Sequence, residues 1–257
     1  IVIELDGIPL QAGYGTTRTD TRGRCGDTNN GFSLLWNWNN LGAGPHTVRA
    51  LIDGVEFATT TVRVTTFGED PFPRGWRGTF ALPDFPAAGE TTSVRWEEAL
   101  QNFVITDGQP PTGEGHDRVA GVHARLENPS LGSAQSGVGV ISGWACEAGE
   151  IVIELDGRPL QAGYGTTRED TRGVCGDANN GFSLLWNWNN LGPGPHTVRA
   201  LLDGVEFAAT TVRVTTLREE PFPRGWSGTF PIPDFPRPGE NKRLRWEESL
   251  QNFVIIP

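Results

Sequence analysis

The chain lacks methionine altogether, has only three cysteines, and contains no apolar run near the roughly 20 residues that span a bilayer. Without methionine it carries no start codon of its own, so we expect a processed product or a piece of something longer. Basic residues are also few, with 21 Lys and Arg against 31 Asp and Glu and a net charge of -10. This balance argues against nucleic acid as a partner, and the short apolar runs predict no membrane span in this segment.

Glycine and proline are abundant instead. The 257 residues include 34 Gly, 19 Pro and nine Trp, and 37% of them are hydrophobic. This composition is typical of a globular, turn-rich protein and is unfavourable for helices. The length is sufficient for about two domains, each with a core of its own.

An internal repeat with an offset of 150 residues dominates the chain. Residues 1–50 match residues 151–200 at 45 of 50 positions, and residues 51–100 match 201–250 at 35 of 50. We call 1–106 the first copy and 119–257 the second copy, joined by a linker at 107–118 rich in Gly, Pro and charge. A repeat this similar is typical of a tandem array that gains length or valency.

The second copy contains a segment, 119–150, whose equivalent positions in the first copy precede Ile1. The first copy is therefore predicted to begin in mid-domain. Three explanations for the missing strands stay open: cleavage, an untraced segment, or donation by another chain as in donor-strand assembly.

The cysteines follow the same division. Cys25 and Cys175 are equivalent, whereas Cys146 lies in the unmatched segment. Cys146 and Cys175 form an even pair, which predicts a disulfide that closes a loop of about 30 residues and stabilises by roughly 3–4 kcal/mol. Cys25 then has no partner in the chain. The bridge implies an oxidising compartment, outside the cell or at its surface; the alternative is three buried thiols in a cytosolic protein.

Apolar and polar residues alternate with a period of two over most of the chain, as strands require. Asp6-Gly7 and Asp53-Gly54 predict hairpin turns, with return strands near 10–14 and 55–66 and a bulge near 58–61. Residues 32–38 and 138–146 predict further strands. About seven strands in roughly 100 residues favour a two-sheet sandwich.

The order of the motifs carries a resemblance. SGWAC, IVIELDG, AGYGTTR, DTR, NNGF and LGxGxHTVRA occur in this order over 142–216, before a DG turn and a Val/Thr-rich strand, and most recur over 1–66. This order resembles bacterial immunoglobulin-like repeats of secreted and cell-surface proteins. The resemblance implies an extracellular sandwich, here 119–216, used for spacing or adhesion, and it transfers no catalytic residue.

The chain departs from that family in its cysteine pair and in an appended piece, 217–257, with its equivalent in the first copy. Alternating Phe, Ile, Leu and Trp around a Pro-Gly turn predict that this piece forms a further β-hairpin. We expect it to pack on the sandwich and to stiffen the joint to the next copy, since about 40 residues without a cysteine make a small independent core.

No catalytic constellation emerges, and we predict that the chain is not an enzyme and needs no cofactor. His46 and His196 are interpreted as hydrogen-bonded turn residues, and consecutive pairs such as Glu97-Glu98 point to opposite faces of a strand. One loop in each copy gathers oxygen ligands that would suit calcium, although the same residues are ordinary in turns. These loop residues are Asp20, Asp27 and Asn29, with Asp170, Asp177 and Asn179 in the second copy.

Tryptophans offer a second functional reading. Trp36 and Trp38 lie two residues apart and share a strand face with Leu34, which favours a place in the core over a platform for sugar rings. The same holds for Trp186 and Trp188, with Leu184. Trp76 and Trp226, in Pro-Arg-Gly-Trp loops, are predicted to contact a ligand or a neighbouring repeat.

The sequence thus predicts an all-β chain of tandem immunoglobulin-like sandwiches, each with a C-terminal β-hairpin extension. The expected role is a non-enzymatic stalk, fibre or adhesin shaft outside the cell. Its predicted partners are further copies of the same repeat in a longer chain or fibre, with a glycan or surface receptor as a second class. The alternative function is a carbohydrate-binding module that uses exposed tryptophan.

Overall fold

The computed structural model describes residues 1–66, 70–109, 115 and 121–256, and over this part the chain is all-β, as predicted. Most of the predicted linker lies outside the described residues. No helix in the described ranges is long and apolar enough to cross a membrane. The α-helices are single turns, α1 (Arg22–Cys25) and α2 (Arg172–Cys175). Single 3₁₀ turns lie at Thr19–Thr21, Trp38–Leu41, Glu98–Leu100, Glu169–Thr171, Trp188–Leu191 and Glu248–Leu250.

The strands of the first copy follow the predicted hairpins closely. They are β1 (Val2–Leu5), β2 (Ile8–Gln11), β3 (Gly13–Thr16), β4 (Gly31–Ser33), β5 (Gly44–Ile52), β6 (Val55–Val64), β7 (Thr79–Pro83), β8 (Thr91–Glu97) and β9 (Asn102–Ile105). The Asp-Gly pairs join β1 to β2 and β5 to β6 with positive φ at both turn residues, as such turns require. The bulge falls at Phe57, one residue before the predicted window, because Ala50 pairs with Ala58 and Leu51 with Glu56.

The second copy repeats this order after three additional strands. It contains β10 (Ala124–Asn128), β11 (Ala134–Gln135), β12 (Val138–Ala145), β13 (Ile151–Leu155), β14 (Arg158–Gln161), β15 (Gly163–Thr166), β16 (Gly181–Asn187), β17 (Gly194–Leu202), β18 (Val205–Val214), β19 (Thr229–Ile232), β20 (Lys242–Glu247) and β21 (Asn252–Ile256). The return strand expected at 10–14 is split in both copies. The chain moves from one sheet to another at the buried Ala12 and Ala162, so β2 and β3 belong to different sheets.

Two sheets enclose the core of the second copy. One has the order β11-β18-β17-β13-β14, and the other contains β10-β12-β16-β15. Ile153 and Phe207 from the first sheet and Ile141 and Phe182 from the second are buried in one cluster. The predicted disulfide joins Cys146 to Cys175, with a Cα–Cα distance of 5.2 Å.

The first copy has a much smaller core. Its sheet, β2-β1-β5-β6, buries a cluster made by Ile3, Leu5, Leu10, Ala12 and Ala50. Strands β3 and β4 instead extend the sheet of the second copy, in the order β10-β12-β16-β15-β3-β4. The strand predicted at 32–38 is therefore cut short in the first copy: β4 ends at Ser33, whereas β16, which pairs with β12, continues to Asn187.

The appended pieces differ from the prediction in two respects. Each forms a three-stranded sheet, β7-β8-β9 or β19-β20-β21, so a third strand joins the expected hairpin. Their main apolar contact is with each other rather than with the other sheets of the two copies. The buried members of this shared core are Leu82, Phe85, Val94, Trp96, Phe103, Ile105, Ile232, Phe235, Leu244, Trp246 and Phe253. Aromatic rings of the two extensions pack against each other in this core, as in the pairs Trp76–Phe235 and Trp226–Phe85.

Candidate functional site

The two copies meet through equivalent residues. Tyr14 pairs with Tyr164 where β3 and β15 run antiparallel. On the next strands, Ser33 Oγ and Ser183 Oγ lie 2.7 Å apart. A contact in which a residue meets its own counterpart is the mark of a local twofold axis between the two copies.

Hydrogen bonds flank this axis in reciprocal pairs. Gln161 N donates to Thr17 Oγ1 at 2.9 Å, and Gln11 N donates to Thr167 Oγ1 at 3.2 Å. The backbone of the same residues adds bonds in the other direction, Thr17 N to Gln161 O at 3.1 Å and Thr167 N to Gln11 O at 3.3 Å. Equivalent surfaces of the two copies therefore contact each other at this joint.

Glycine is required at the centre of this joint. A Cβ at Gly13 would lie 2.8 Å from the carbonyl carbon of Gly163, and a Cβ at Gly163 would lie 2.9 Å from Gly13 O. Real side chains do not approach so closely. The Gly-Tyr-Gly sequence thus lets the two backbones come together at the axis.

The candidate tryptophans of the Pro-Arg-Gly-Trp loops lie in the shared core of the extensions. Trp76 contacts Phe235 with a ring-centroid distance of 5.7 Å, and Trp226 contacts Phe85 at the same distance. Both tryptophans are half-buried, while the two phenylalanines are at most 1% exposed. Each tryptophan therefore packs on the other copy, in edge-to-face pairs.

Among the described residues, ion pairs also join the second copy to the first copy and to the start of the linker. Arg213 Nη2 lies 2.7 Å from Asp107 Oδ2, and Arg218 Nη2 lies 2.7 Å from Glu90 Oε1. The hydrogen bond from Arg213 lowers the pKa of Asp107. Because all four side chains are partly exposed, these pairs orient the copies more than they stabilise them.

The first copy exposes apolar side chains that the second copy buries. Phe57 is 50% exposed and Trp38 is 43% exposed, whereas their equivalents Phe207 and Trp188 are both 0% exposed. Phe32 shows the same contrast, with 41% exposure against 1% for its equivalent. We call this surface, formed by Phe32, Leu34, Trp38, Phe57 and Ala58 with the adjoining edges of β4 and β6, the open face. The sequence prediction that these tryptophans are core is met in full only by Trp188.

A cavity of about 1760 Å³ adjoins the open face. Trp36, Trp38 and Val62 of the first copy line it, as do Glu127 and Ile255 of the second. Sites for small molecules usually occupy roughly 300–1,000 Å³. The cavity is thus larger than a small ligand needs.

The loop with candidate calcium ligands uses its carboxylates in other ways. Asp20 pairs with Arg18 at 2.6 Å and Asp170 with Arg168 at 2.6 Å. Asp27 and Asp177 accept the backbone N–H of Asn29 and Asn179, each at 2.9 Å, as in ordinary Asx turns. Within the described part of the chain, no group of three or more His, Cys, Asp or Glu side chains is arranged to hold a metal.

The arginine of this loop distinguishes the two copies. Arg168 also binds Glu127 of β10 at 2.7 Å and has a side chain only 19% exposed. Arg18, its equivalent, has Asp20 as its ion-pair partner among the described residues and is 57% exposed. Cys25 is likewise free and exposed, whereas Cys175 is bonded to Cys146.

The repeated histidines hold turns together. His46 Nδ1 lies 2.7 Å from Asp6 Oδ2, and Nε2 lies 3.1 Å from the carbonyl oxygen of Gly42. The hydrogen bond to Asp6 raises the pKa of His46, because both ring nitrogens donate to acceptors that carry no proton. His196 makes the same two contacts, with Asp156 and Gly192.

Comparison with models of protein families, with curated proteins and with solved structures found no match. Function is therefore inferred from the geometry of the two copies. The residues at the joint, such as Tyr14 and Ser33, were not among the sequence candidates, since near-identity of the copies gives them no distinguishing signal. Gly13 and Gly163, beside Tyr14 and Tyr164, are a local signal, because glycine inside a strand can mark a close approach of two backbones.

Proposed function

We propose that the chain is a non-enzymatic structural repeat unit of the extracellular space or cell surface, built from immunoglobulin-like sandwiches that associate in pairs. The observation that carries this proposal is the reciprocal contact of the two copies at β3 and β15. A self-complementary surface lets copies of the same repeat associate, and this role requires no substrate.

The architecture of the second copy supports the immunoglobulin-like part of the proposal. Two antiparallel sheets share one core, and a disulfide ties the start of this module to the α2 turn. The motif order resembles that of bacterial immunoglobulin-like repeats. A disulfide also favours an oxidising compartment, which suits a secreted or surface-bound protein.

The pairing modifies the simple picture of modules strung end to end. Here a continuous six-stranded sheet and a shared aromatic core hold two copies side by side. Separating them would break strand hydrogen bonds and expose rings such as Phe85 and Phe235 together. We infer that the pair, rather than the single copy, is the unit that bears load or presents an adhesive surface.

The carbohydrate-binding alternative rested on exposed tryptophans. Trp76 and Trp226 pack against phenylalanines of the other copy, so neither presents the open, flat ring that stacks on a sugar. Trp38, which is 43% exposed and lines the cavity, is the tryptophan that a carbohydrate-binding function would use.

Single-molecule pulling from the two ends of the chain tests the proposal. We expect a distinct rupture event when the two extensions separate, because their aromatic core must come apart in one step. The Phe85→Ala, Phe235→Ala double variant should lose or weaken this event, since each truncation costs about 3–5 kcal/mol of core packing. The Ile8→Ala variant, at a side chain 57% exposed, is the matched control and should keep it.

Two outcomes would contradict the structural role. One is extension of the wild-type chain without any event that depends on Phe85 and Phe235. The other is binding to a broad glycan array that disappears in Trp76→Ala or Trp226→Ala. The second outcome would return the chain to the carbohydrate-binding class.

A further inference from the structure

We infer that each extension carries a preformed aromatic cage that binds a phenylalanine presented by a Pro-Asp-Phe-Pro loop of the other repeat copy, and that this contact selects the pairing partner. The inference rests on the proposed function and names the element that makes the pairing specific. The two loops are residues 83–90 and 233–240, and both read PDFPxxGE. Each loop places its phenylalanine among rings of the opposite extension.

The first cage belongs to the first extension and surrounds Phe235 of the second copy. Phe235 is 0% exposed, and the centroids of four rings of the first copy lie 4.9–5.8 Å from its own. These rings are Trp76, Phe80, Trp96 and Phe103. Aromatic pairs are favourable at centroid distances of about 4.5–7 Å, so all four rings contribute to binding.

The second cage surrounds Phe85 of the first copy in the same way. Phe85 is 1% exposed, and four rings of the second copy lie at centroid distances of 5.0–5.7 Å. These rings are Trp226, Phe230, Trp246 and Phe253. The same binding site thus occurs twice, with the phenylalanine supplied by the opposite copy each time.

Contacts within one extension hold the cage rings in place. Trp96 and Phe103 are paired across β8 and β9, with ring centroids 5.4 Å apart. Trp76 packs on Trp96 at 5.6 Å and Phe80 on Phe103 at 5.9 Å, so the four rings form a continuous row. The second cage repeats this row. A site that its own extension organises loses little conformational entropy when the loop binds.

The loop that presents the phenylalanine is also organised by its own residues. Asp84 Oδ1 accepts a hydrogen bond from Gly89 N at 2.8 Å, and Gly89 has a φ of 83°, which favours glycine. Phe85 N donates to Glu90 O at 3.3 Å, and Glu90 N donates to Ala87 O at 3.0 Å. The second loop makes the equivalent three bonds. The Asp, Gly and Glu positions of PDFPxxGE therefore shape the loop around its phenylalanine.

An ion pair beside the second cage distinguishes the two sites. Glu90 ends the first loop and lies 2.7 Å from Arg218, whose guanidinium lies 5.8 Å from the ring centroid of Trp226. The equivalent of Arg218 in the first copy is Gly68, which lies outside the described residues and has no side chain to form such a pair. Because Glu90 and Arg218 are partly exposed, their ion pair orients the loop more than it stabilises the contact. The rings shared by both cages carry the recognition.

Double-mutant cycles on the whole chain test the selectivity of the cages. Phe85→Leu keeps an apolar side chain but removes the ring, and we expect it to raise the equilibrium constant of unfolding in urea by at least about tenfold. In a Phe253→Leu background, where the second cage is already altered, the same change should have a clearly smaller effect, about threefold. Phe103→Leu, at the equivalent and equally buried ring of the first cage, is the matched control and should leave the tenfold effect intact.

Toluene, the side-chain analogue of phenylalanine, provides a second measurement. Phe85→Ala empties the second cage and Phe235→Ala empties the first, and dry apolar cavities of this kind bind small aromatic molecules. Toluene should raise the Tm of both variants. Methylcyclohexane, which is similar in size but not aromatic, should raise it less, because the cage offers ring edges and faces. Neither compound should shift the wild-type chain, whose cages are filled.

Equal coupling of Phe85 to both cages, or coupling to neither, would overturn the inference. Equal Tm shifts with toluene and methylcyclohexane would also overturn it. Failure of the proposed function would look different. Extensions that pack without selectivity for a ring would still rupture in one step in the pulling experiment, whereas selective cages that bear no load would give no rupture event.

Discussion

Glu97 of the first copy contacts Ala134, which belongs to the segment that precedes the repeat in the second copy. Its side chain is 14% exposed, lies 3.3 Å from Arg95, and accepts a backbone hydrogen bond from Ala134. Burial raises the pKa of Glu97, and Arg95 opposes the shift only in part. The equivalent Glu247 faces Arg245 at the same distance but is 35% exposed.

The Glu97→Gln variant should be more stable than the wild-type chain at neutral pH. A raised carboxyl pKa means that the native state keeps its proton to higher pH than the unfolded chain, so stability falls as pH rises through the raised pKa. The amide removes this loss, and at acid pH, where Glu97 is protonated in both states, the two proteins should agree. Urea unfolding across this pH range measures the difference.

Glu247→Gln, at the equivalent side chain that is 35% exposed, is the matched control and should change the free energy of unfolding at neutral pH by less. A Glu97→Gln variant less stable than the wild type at neutral pH would show that the Arg95 ion pair outweighs burial.

At the scale of strands, nearly the same sequence is exposed in one copy and buried in the other. β6 and β18 differ at one of ten positions, yet Phe57 is half exposed on the first and Phe207 is fully buried on the second. Strands β10 to β12 make this difference, because they complete the sheets around Phe207.

Phe207→Ala should therefore destabilise the second copy by about 3–5 kcal/mol through the cavity it leaves. Phe57→Ala should cost only about 1 kcal/mol, because the side chain is already half exposed to water. Chemical denaturation of the two variants gives the comparison directly. Equal losses would mean that the open face is covered in solution and that the exposed surface described here is wrong.

The sequence predicted the elements better than their assembly. Asp-Gly pairs identified both hairpins, and the cysteine count identified the Cys146–Cys175 bridge, because these signals are local or arithmetic. The third strand of each extension and the early end of β4 were missed. Each depends on a neighbour in space, which a period of two along the chain does not encode.

The candidate site shows the same division. The sequence singled out Trp76 and Trp226 but could not say what they contact, and it gave no sign of Tyr14 or Ser33 at the axis. A residue that contacts its own equivalent in the other copy does not form a complementary pair, such as an acid with a base, that could be recognised in the sequence. Only the exposure of equivalent residues in the two copies, compared pair by pair, reveals the open face.

For the whole molecule, the account depends on two copies held side by side about a local twofold axis. The strand pairing at Tyr14 and Tyr164 and the aromatic core of the extensions are separate contacts that agree on this arrangement.

The most direct measurement of this claim is an intramolecular cross-link at the axis. Ser33 Oγ and Ser183 Oγ lie 2.7 Å apart, so cysteines at both positions are within reach of a disulfide. In a Cys25→Ser background, the Ser33→Cys, Ser183→Cys variant should form this bond under mild oxidation as a monomer, at a rate independent of protein concentration. Peptide mapping that finds no bond between these positions, or finds it only between chains, would contradict the paired arrangement.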